Sequence, residues 1–169
     1  MVNTDTDALT LYYETSVYGL YKSLGWEALK VFVESGGNLN AKNQFGNTPL
    51  HSAVSQDDCF LVKTLLELGA DPNVANRRGR TALHFSIMRN NYLALKTLLE
   101  YGADPMATDN RLWTALHILA SYMDCDTSIL CALLKYGANP NAQNEDFNTP
   151  LHIAAGEGRV EIVEVLLRC

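Results

Sequence analysis

Several features that mark membrane-bound, secreted or metal-binding proteins are scarce in this sequence. Apolar runs, such as residues 129–134, are only a few residues long, whereas a membrane-spanning helix needs about 20, so we expect no membrane association. The first seven residues, MVNTDTD, lack the basic and then apolar character of a secretory signal. The four cysteines form no CxxC pair, which favours reduced thiols and a cytoplasmic location, with the nucleus as the alternative.

Positive charge and catalytic motifs are scarce as well. Lysine and arginine number 13 against 19 acidic residues, which gives a net charge of −6. An acidic chain repels phosphate backbones, so nucleic-acid binding is not expected. The sequence contains no HExxH, GxSxG, GxxxxGK[ST] or GxGxxG motif. We therefore expect neither an enzyme nor a cofactor or metal site. Apolar residues still make up 47% of the 169 positions, enough for one domain with a sizeable core.

What the sequence does contain is an internal repeat. A Thr-Pro/Ala-Leu-His motif recurs four times, with its threonines 33, 33 and 35 residues apart. A second motif, beginning with glycine, recurs at the same spacings. Because two motifs keep register through four copies, the signal is specific. The copies start at Thr48, Thr81, Thr114 and Thr149, and at Gly36, Gly69, Gly102 and Gly137.

Each repeat predicts two helices and a polar finger. Thr48 is a helix N-cap, and Pro49 stands at the first helical position, where its missing N–H costs nothing. A second helix spans about residues 60–68 and ends at Gly69 in a left-handed cap. A polar finger, residues 74–80, leads to the next threonine. No single unit hides its apolar face, so the units are expected to stack as a solenoid.

This pattern resembles the ankyrin-repeat family, whose period is 33 residues and whose signature includes Thr-Pro-Leu-His. The resemblance implies an all-α repeat solenoid of helix–turn–helix units joined by β-hairpin-like fingers. It predicts one domain over residues 1–169, with helical pairs starting near residues 8, 48, 81, 114 and 149. The sequence stops at Cys169 before a helix-ending glycine, so we expect further C-terminal repeats or another domain in the full-length protein. The repeats are a degenerate first copy at about 1–42, then 43–75, 76–108 and 109–143, and an incomplete copy at 144–169.

The sequence departs from the family pattern in two places. Two extra residues lie near residues 121–128, where Asp126 or Ser128 is a candidate helix cap, and a tolerated loop insertion is favoured over a binding role. Leu112 and Phe147 stand where the family has a glycine with positive φ. Either those fingers are remodelled or the two residues are strained. Packing between neighbouring fingers is the ordinary explanation for their side chains, and an apolar contact with a partner is the alternative.

All four histidines occupy one repeat position: His51, His84, His117 and His152. A catalytic residue is normally singular, so this repetition indicates a structural role. The resemblance implies that each histidine bonds locally and ties adjacent fingers together. Neighbouring copies are expected about 10 Å apart, the spacing of packed helices, which is too far for a shared metal ion.

The family resemblance also suggests where a partner binds, namely at the finger tips and the exposed side of the first helices. Five of the seven arginines fall at these positions, and none of the six lysines does. Arginine and aromatic residues are enriched in binding hot spots. The alternative is that the clustering is chance. The candidate binding residues are Arg77, Arg78, Arg80, Met88, Arg89, Arg111, Trp113 and Tyr122.

The predicted function is a protein–protein interaction module or adaptor that binds an acidic or aromatic-containing segment through its concave finger and inner-helix face. A phosphopeptide or a nucleic acid is a rival ligand for the same arginines. A second alternative is a targeting or regulatory domain of a larger protein, such as a ubiquitin-ligase adaptor or a viral or bacterial host-interaction effector. Such a domain docks intramolecularly or recruits a client.

Overall fold

The computed structural model describes residues 16–122 and 127–168, and their helices come in consecutive pairs. Apart from one antiparallel bridge between Thr108 and Thr114, the described residues contain no β-structure. None of the helices in this part of the chain has the length and apolar character of a membrane span. The helices are α1 Ser16–Leu24, α2 Trp26–Glu34, α3 Pro49–Ser55, α4 Cys59–Glu67, α5 Ala82–Met88, α6 Tyr92–Glu100, α7 Ala115–Ser121, α8 Thr127–Lys135, α9 Pro150–Gly156 and α10 Val160–Leu166.

The pairs stack side by side in two rows. In the inner row, α1, α3, α5, α7 and α9 each contact the next, and in the outer row α4, α6, α8 and α10 do the same. The two helices of each pair also contact each other. This arrangement confirms the predicted all-α solenoid.

The core is one continuous cluster that runs through the stack. Equivalent leucines of successive inner helices, Leu50, Leu83 and Leu116, are almost fully buried. Leu65 and Leu98 fill the corresponding place in the outer row. Full burial of one such side chain stabilises a fold by about 1.5–3 kcal/mol, and helices of neighbouring units contact each other in both rows. The repeats therefore depend on their neighbours.

Short polar caps set where the helices begin. The four motif threonines are N-caps with an extended backbone, as predicted. The outer helices α4 and α6 begin after Asp58 and Asn91, whose side chains accept the backbone N–H of the third residue on, at 3.0 and 2.8 Å. The predicted left-handed cap at Gly69 is present, with φ of 94°.

Three of the histidines join their inner helices, α3, α5 and α7, to the following fingers, as the resemblance implied. The backbone N–H of Thr48 donates to Nδ1 of His51 at 3.1 Å, so the ring hydrogen resides on Nε2. That nitrogen donates to the carbonyl oxygen of Arg80 at 2.9 Å. His84 and His117 repeat both contacts, with the carbonyls of Trp113 and Asn148 as acceptors.

Burial holds these three imidazoles in the neutral form. Removal from water lowers the pKa of His51 to about 4, against the partly opposing hydrogen bond to Arg80. The same cause lowers the pKa of His84 and of His117. A neutral ring with one donor and one acceptor is what the helix–finger junction requires.

Four short fingers, each before an inner helix, share one internal geometry. In each, the first residue accepts two backbone N–H groups, two and four residues on, at 2.9–3.1 Å. Backbone hydrogen bonds of 2.9–3.2 Å also join each finger to the next. Each finger is therefore held by hydrogen bonds within itself and by hydrogen bonds to its neighbour. They are finger 1 (residues 43–47), finger 2 (76–80), finger 3 (109–113) and finger 4 (144–148), and they begin with Asn43, Asn76, Asp109 and Asn144.

One expectation about the insertion is wrong, and two other expectations concern residues that the structure does not describe. Ser128 is the second residue of α8, so it is not the cap of that helix. Asp126 and the helix start near residue 8 lie outside the described residues. The first described helix begins at Ser16, one 33-residue step before Pro49. Cys59 and Cys131 are free thiols.

Candidate protein-binding surface

A groove lies between fingers 1 and 2 and runs along α5. Its volume is about 280 Å³. Phe45, Phe85 and Met88 supply apolar walls, and the ring of Phe85 meets the buried ring of His51 edge-on at 5.1 Å between centroids. We call this cavity the finger groove. The other residues that line it are Gln44, Asn47, Asn76, Arg77, Arg78 and Arg80.

Arg77 and Arg78 are the exposed cations of the finger groove. Their backbone is fixed, because the N–H of Arg77 donates to the carbonyl of Phe45 at 3.1 Å and that of Arg78 to Oδ1 of Asn76 at 2.9 Å. Among the described residues, neither guanidinium forms an ion pair. Two adjacent uncompensated cations on a fixed backbone suit an anionic group of a partner.

Arg80 has a different role from its two neighbours. Its Nε lies 3.4 Å from Oδ2 of Asp109, a carboxylate in finger 3 that is only 6% exposed. Its Nη1 lies 3.6 Å from Sδ of Met88. Asp109 replaces the asparagine of the other fingers, so it accepts the same two backbone N–H groups and adds a charge. Arg80 therefore joins two fingers and lines the finger groove at once.

The remaining predicted residues lie outside the finger groove. Nε of Arg111 is 2.7 Å from Oε1 of Glu145, and this hydrogen bond raises the pKa of the exposed guanidinium. Trp113 is half-buried against the core, 6.1 Å from the ring of His117, and its Nε1 has no hydrogen-bond partner within the described ranges. Arg89 and Tyr122 are exposed directly after α5 and α7. Of the eight predicted residues, four therefore line the finger groove, namely Arg77, Arg78, Arg80 and Met88.

Leu112 and Phe147 take up the backbone of the glycines that they replace. Their φ angles are 57° and 62°, and Gly79 has 75° at the equivalent place. Their N–H groups keep the finger hydrogen bond, at 2.9 and 3.0 Å. Of the two alternatives, remodelled fingers are therefore wrong and strained residues correct, at a cost of about 1–2 kcal/mol each.

The expectation that these two side chains pack between neighbouring fingers is wrong for Phe147, which is 76% exposed. Leu112 is 50% exposed, so half of its side chain is covered and half faces water. Phe45 in finger 1 is 62% exposed, and sequence reasoning did not count it among the binding residues. The signal available in the sequence was an apolar residue within a polar finger. Exposure itself depends on the neighbouring fingers, which the sequence does not show.

Family models agree with the periodicity of the structure. A model described as ankyrin repeats in three copies matches residues 20–109, and one described as ankyrin repeats in many copies matches residues 119–167. The chain belongs to the ankyrin-repeat family. Among curated proteins, none matches the sequence. Ankyrin repeats are in general protein–protein interaction modules on a non-catalytic scaffold.

The ankyrin stack has two further depressions that sequence reasoning did not predict. One, of about 430 Å³, is almost entirely apolar and lies between α1 and α2, with Leu24 and Val31 on its surface. The other, of about 510 Å³, lies between α6 and α8. In the described part of the ankyrin stack, no three His, Cys, Asp or Glu side chains are grouped closely enough to hold a metal ion.

Proposed function

We propose that this ankyrin stack binds an acidic, aromatic-containing segment of a partner protein in the finger groove. The observation that carries the proposal is the juxtaposition, in one cavity, of three apolar side chains with two arginines that have no ion pair among the described residues. Arg77 and Arg78 suit carboxylates, because a guanidinium offers a forked pair of donors. Phe45, Phe85 and Met88 suit an aromatic ring, and methionine adapts to irregular shapes.

The rigidity of the fingers supports the same function. Each finger is hydrogen-bonded internally and to its neighbour, so few groups need to be ordered when a partner binds. Preorganisation of this kind increases affinity by reducing the entropy lost on association. Arg111 and Trp113 then act as a secondary contact on finger 3, and Arg89 and Tyr122 as contacts at the far ends of the inner helices. Action as an adaptor, in the cytoplasm or alternatively the nucleus, stays a prediction.

The proposal is tested with a phage-displayed library of random peptides, selected on the wild-type chain. The test variant is Arg77→Glu with Arg78→Glu. The control is Lys63→Glu with Lys96→Glu, which makes the same change in net charge on exposed positions of the outer row. Circular dichroism establishes that both variants are folded.

We expect peptides rich in aspartate, glutamate and aromatic residues, whose binding is lost in the arginine variant and kept in the lysine variant. An equal loss of peptide binding in both variants would mean that the net charge of the protein, and not the finger groove, determines binding. Peptides that bind both variants as well as the wild type would exclude the finger groove as the site.

A further inference from the structure

The exposed apolar side chains of fingers 3 and 4 contribute less to the fold than buried ones do. Phe147 is 76% exposed and Leu112 is 50% exposed, so burial of the first stabilises the core little and burial of the second only in part. Both also hold a left-handed backbone that glycine adopts freely. A side chain that strains the backbone and is not buried is best explained by a contact with another molecule. Because the two lie at the same place in successive fingers, that molecule can contact both at once.

The charges of the fingers change sign along the same edge. Finger 2 presents Arg77 and Arg78, while Arg111 in finger 3 is paired with Glu145 at 2.7 Å. Asp146, the next residue of finger 4, is exposed and forms no ion pair in the described part of the chain. Its negative charge adds to that of Glu145 beside Arg111. The edge therefore runs from positive through neutral and apolar to negative.

We infer that the partner segment is extended and crosses fingers 2 to 4, with acidic residues at one end, large apolar residues in the middle and a lysine or arginine at the other end. The inference rests on the proposed function and extends its site. The acidic end meets Arg77 and Arg78, the apolar residues meet Leu112 and Phe147, and the basic residue meets Asp146. Charge complementarity of this kind fixes orientation and register.

The dimensions of the stack are compatible with a short peptide. Neighbouring helices pack about 8–10 Å apart, so two steps along the fingers span roughly 20 Å. An extended chain advances about 3.3 Å per residue. A segment of roughly six residues therefore reaches from the arginine pair to Phe147.

The test variant is Leu112→Gly with Phe147→Gly. It is expected to weaken peptide binding while it relieves the backbone strain. Glycine already holds the equivalent positions 46 and 79 with positive φ, so the finger geometry is retained and the strain is removed. We expect an unchanged or higher denaturation midpoint. A loss of binding in this variant is then not a consequence of misfolding.

The probe is the same phage-displayed library of random peptides. We expect selected peptides to carry acidic and basic residues at opposite ends around large apolar residues, and to lose at least about tenfold in affinity for the double glycine variant. In addition, Asp146→Lys is expected to remove the preference for a basic end.

Each other outcome overturns a different part of the argument. Peptides that lose affinity for the arginine variant but bind the double glycine variant as the wild type does would overturn this inference alone. Peptides that bind both variants unchanged would overturn the proposed function too. Failure of the wild-type chain to enrich any peptide would overturn both, because a preorganised site for a linear segment is expected to select one.

Discussion

At the scale of single residues, one side chain breaks a ladder between the turns of successive repeats. The side-chain oxygens of Asn40 and Asn73 accept the backbone N–H groups of Asp71 and Asp104 at 2.9 and 2.7 Å. At the next step the atom facing the N–H of Asn139 is Sδ of Met106, at 3.1 Å. A thioether is a weak acceptor, so the third link of the ladder is the weakest.

Met106→Asn is therefore expected to stabilise the protein. The amide oxygen restores the hydrogen bond that the two earlier repeats make, and a typical intramolecular hydrogen bond contributes about 0.5–1.5 kcal/mol. The free energy of unfolding, measured by urea denaturation, is expected to rise by that amount. Met106→Leu has similar volume and no acceptor, so it is the control and gives no increase. An asparagine variant no more stable than the leucine variant would contradict the prediction.

Repeated residues also show which structural roles can be predicted before a structure is known. Fourfold repetition identified the histidines as structural, and the contacts of His51, His84 and His117 with the following fingers agree with this. His152 makes only the local contact with Thr149. The first residue of each finger repeats in the same way, as Asn43, Asn76, Asp109 and Asn144, yet its role was not predicted. An asparagine in a turn has several backbone groups within reach, and only the folded finger determines which two it bonds. The pairing of Asp109 with Arg80 joins different repeats, and local sequence carries no sign of it.

At the scale of elements, the link between an inner helix and the following finger is a single neutral imidazole. The pKa of His51 is lowered to about 4 by burial, whereas an unfolded histidine titrates near 6.5. Because the folded protein binds this proton less tightly, protonation favours unfolding. The contribution to stability is complete above about pH 6.5 and is lost as the pH falls towards about 4.

We expect the free energy of unfolding to fall by roughly 3 kcal/mol through His51 alone over that range, since each unit of pKa difference corresponds to about 1.4 kcal/mol. His84 and His117 act in the same direction. Urea titrations between pH 7.5 and 4.5 measure the slope, and His51→Asn, which retains an acceptor for the Thr48 N–H, is the control. The difference in stability between wild type and variant must shrink as the pH falls. A constant difference would show that His51 does not titrate during unfolding.

Helix positions were the best-predicted elements, for a local reason. A capping threonine, a helical apolar period and a following glycine are all contained in one repeat, and α3 to α7 follow them. Leu112 and Phe147 show the limit of this reasoning. Their departure from glycine was visible in the sequence. Whether the finger is remodelled or the residue is strained depends on hydrogen bonds such as that from Leu112 N–H to the carbonyl of Asp109.

At the scale of the whole molecule, the stack is a chain of nearest-neighbour contacts. Its period predicted the repeats, because each unit must bury its apolar face against the next. The finger groove could not be predicted in the same way. Its walls come from two different fingers and one helix, and the sequence places Phe45 and Met88 more than forty residues apart.

Two glycine substitutions separate the cost of backbone strain from the cost of a broken interface. Gly79 and Gly102 both have positive φ, at 75° and 84°. A Cβ at Gly79 would lie 2.7 Å from the backbone nitrogen of Asn110 in finger 3, whereas a Cβ at Gly102 would meet nothing within 4 Å. Both alanine variants therefore carry the conformational cost of about 1–2 kcal/mol, and only Gly79→Ala also forces fingers 2 and 3 apart.

We expect Gly79→Ala to lower the free energy of unfolding more than Gly102→Ala does. We also expect the two variants to differ in which segments unfold together. Because the described units pack mainly against their neighbours, a clash between fingers 2 and 3 weakens the interface between the α5–α6 and α7–α8 pairs. Hydrogen exchange measured by mass spectrometry should show the segments before and after that interface opening separately in Gly79→Ala. In Gly102→Ala they should open together, as in the wild type. Equal losses of stability in the two variants, with one exchange rate for all segments, would contradict this prediction. They would mean that the helical core, and not the fingers, couples the unfolding of neighbouring repeats.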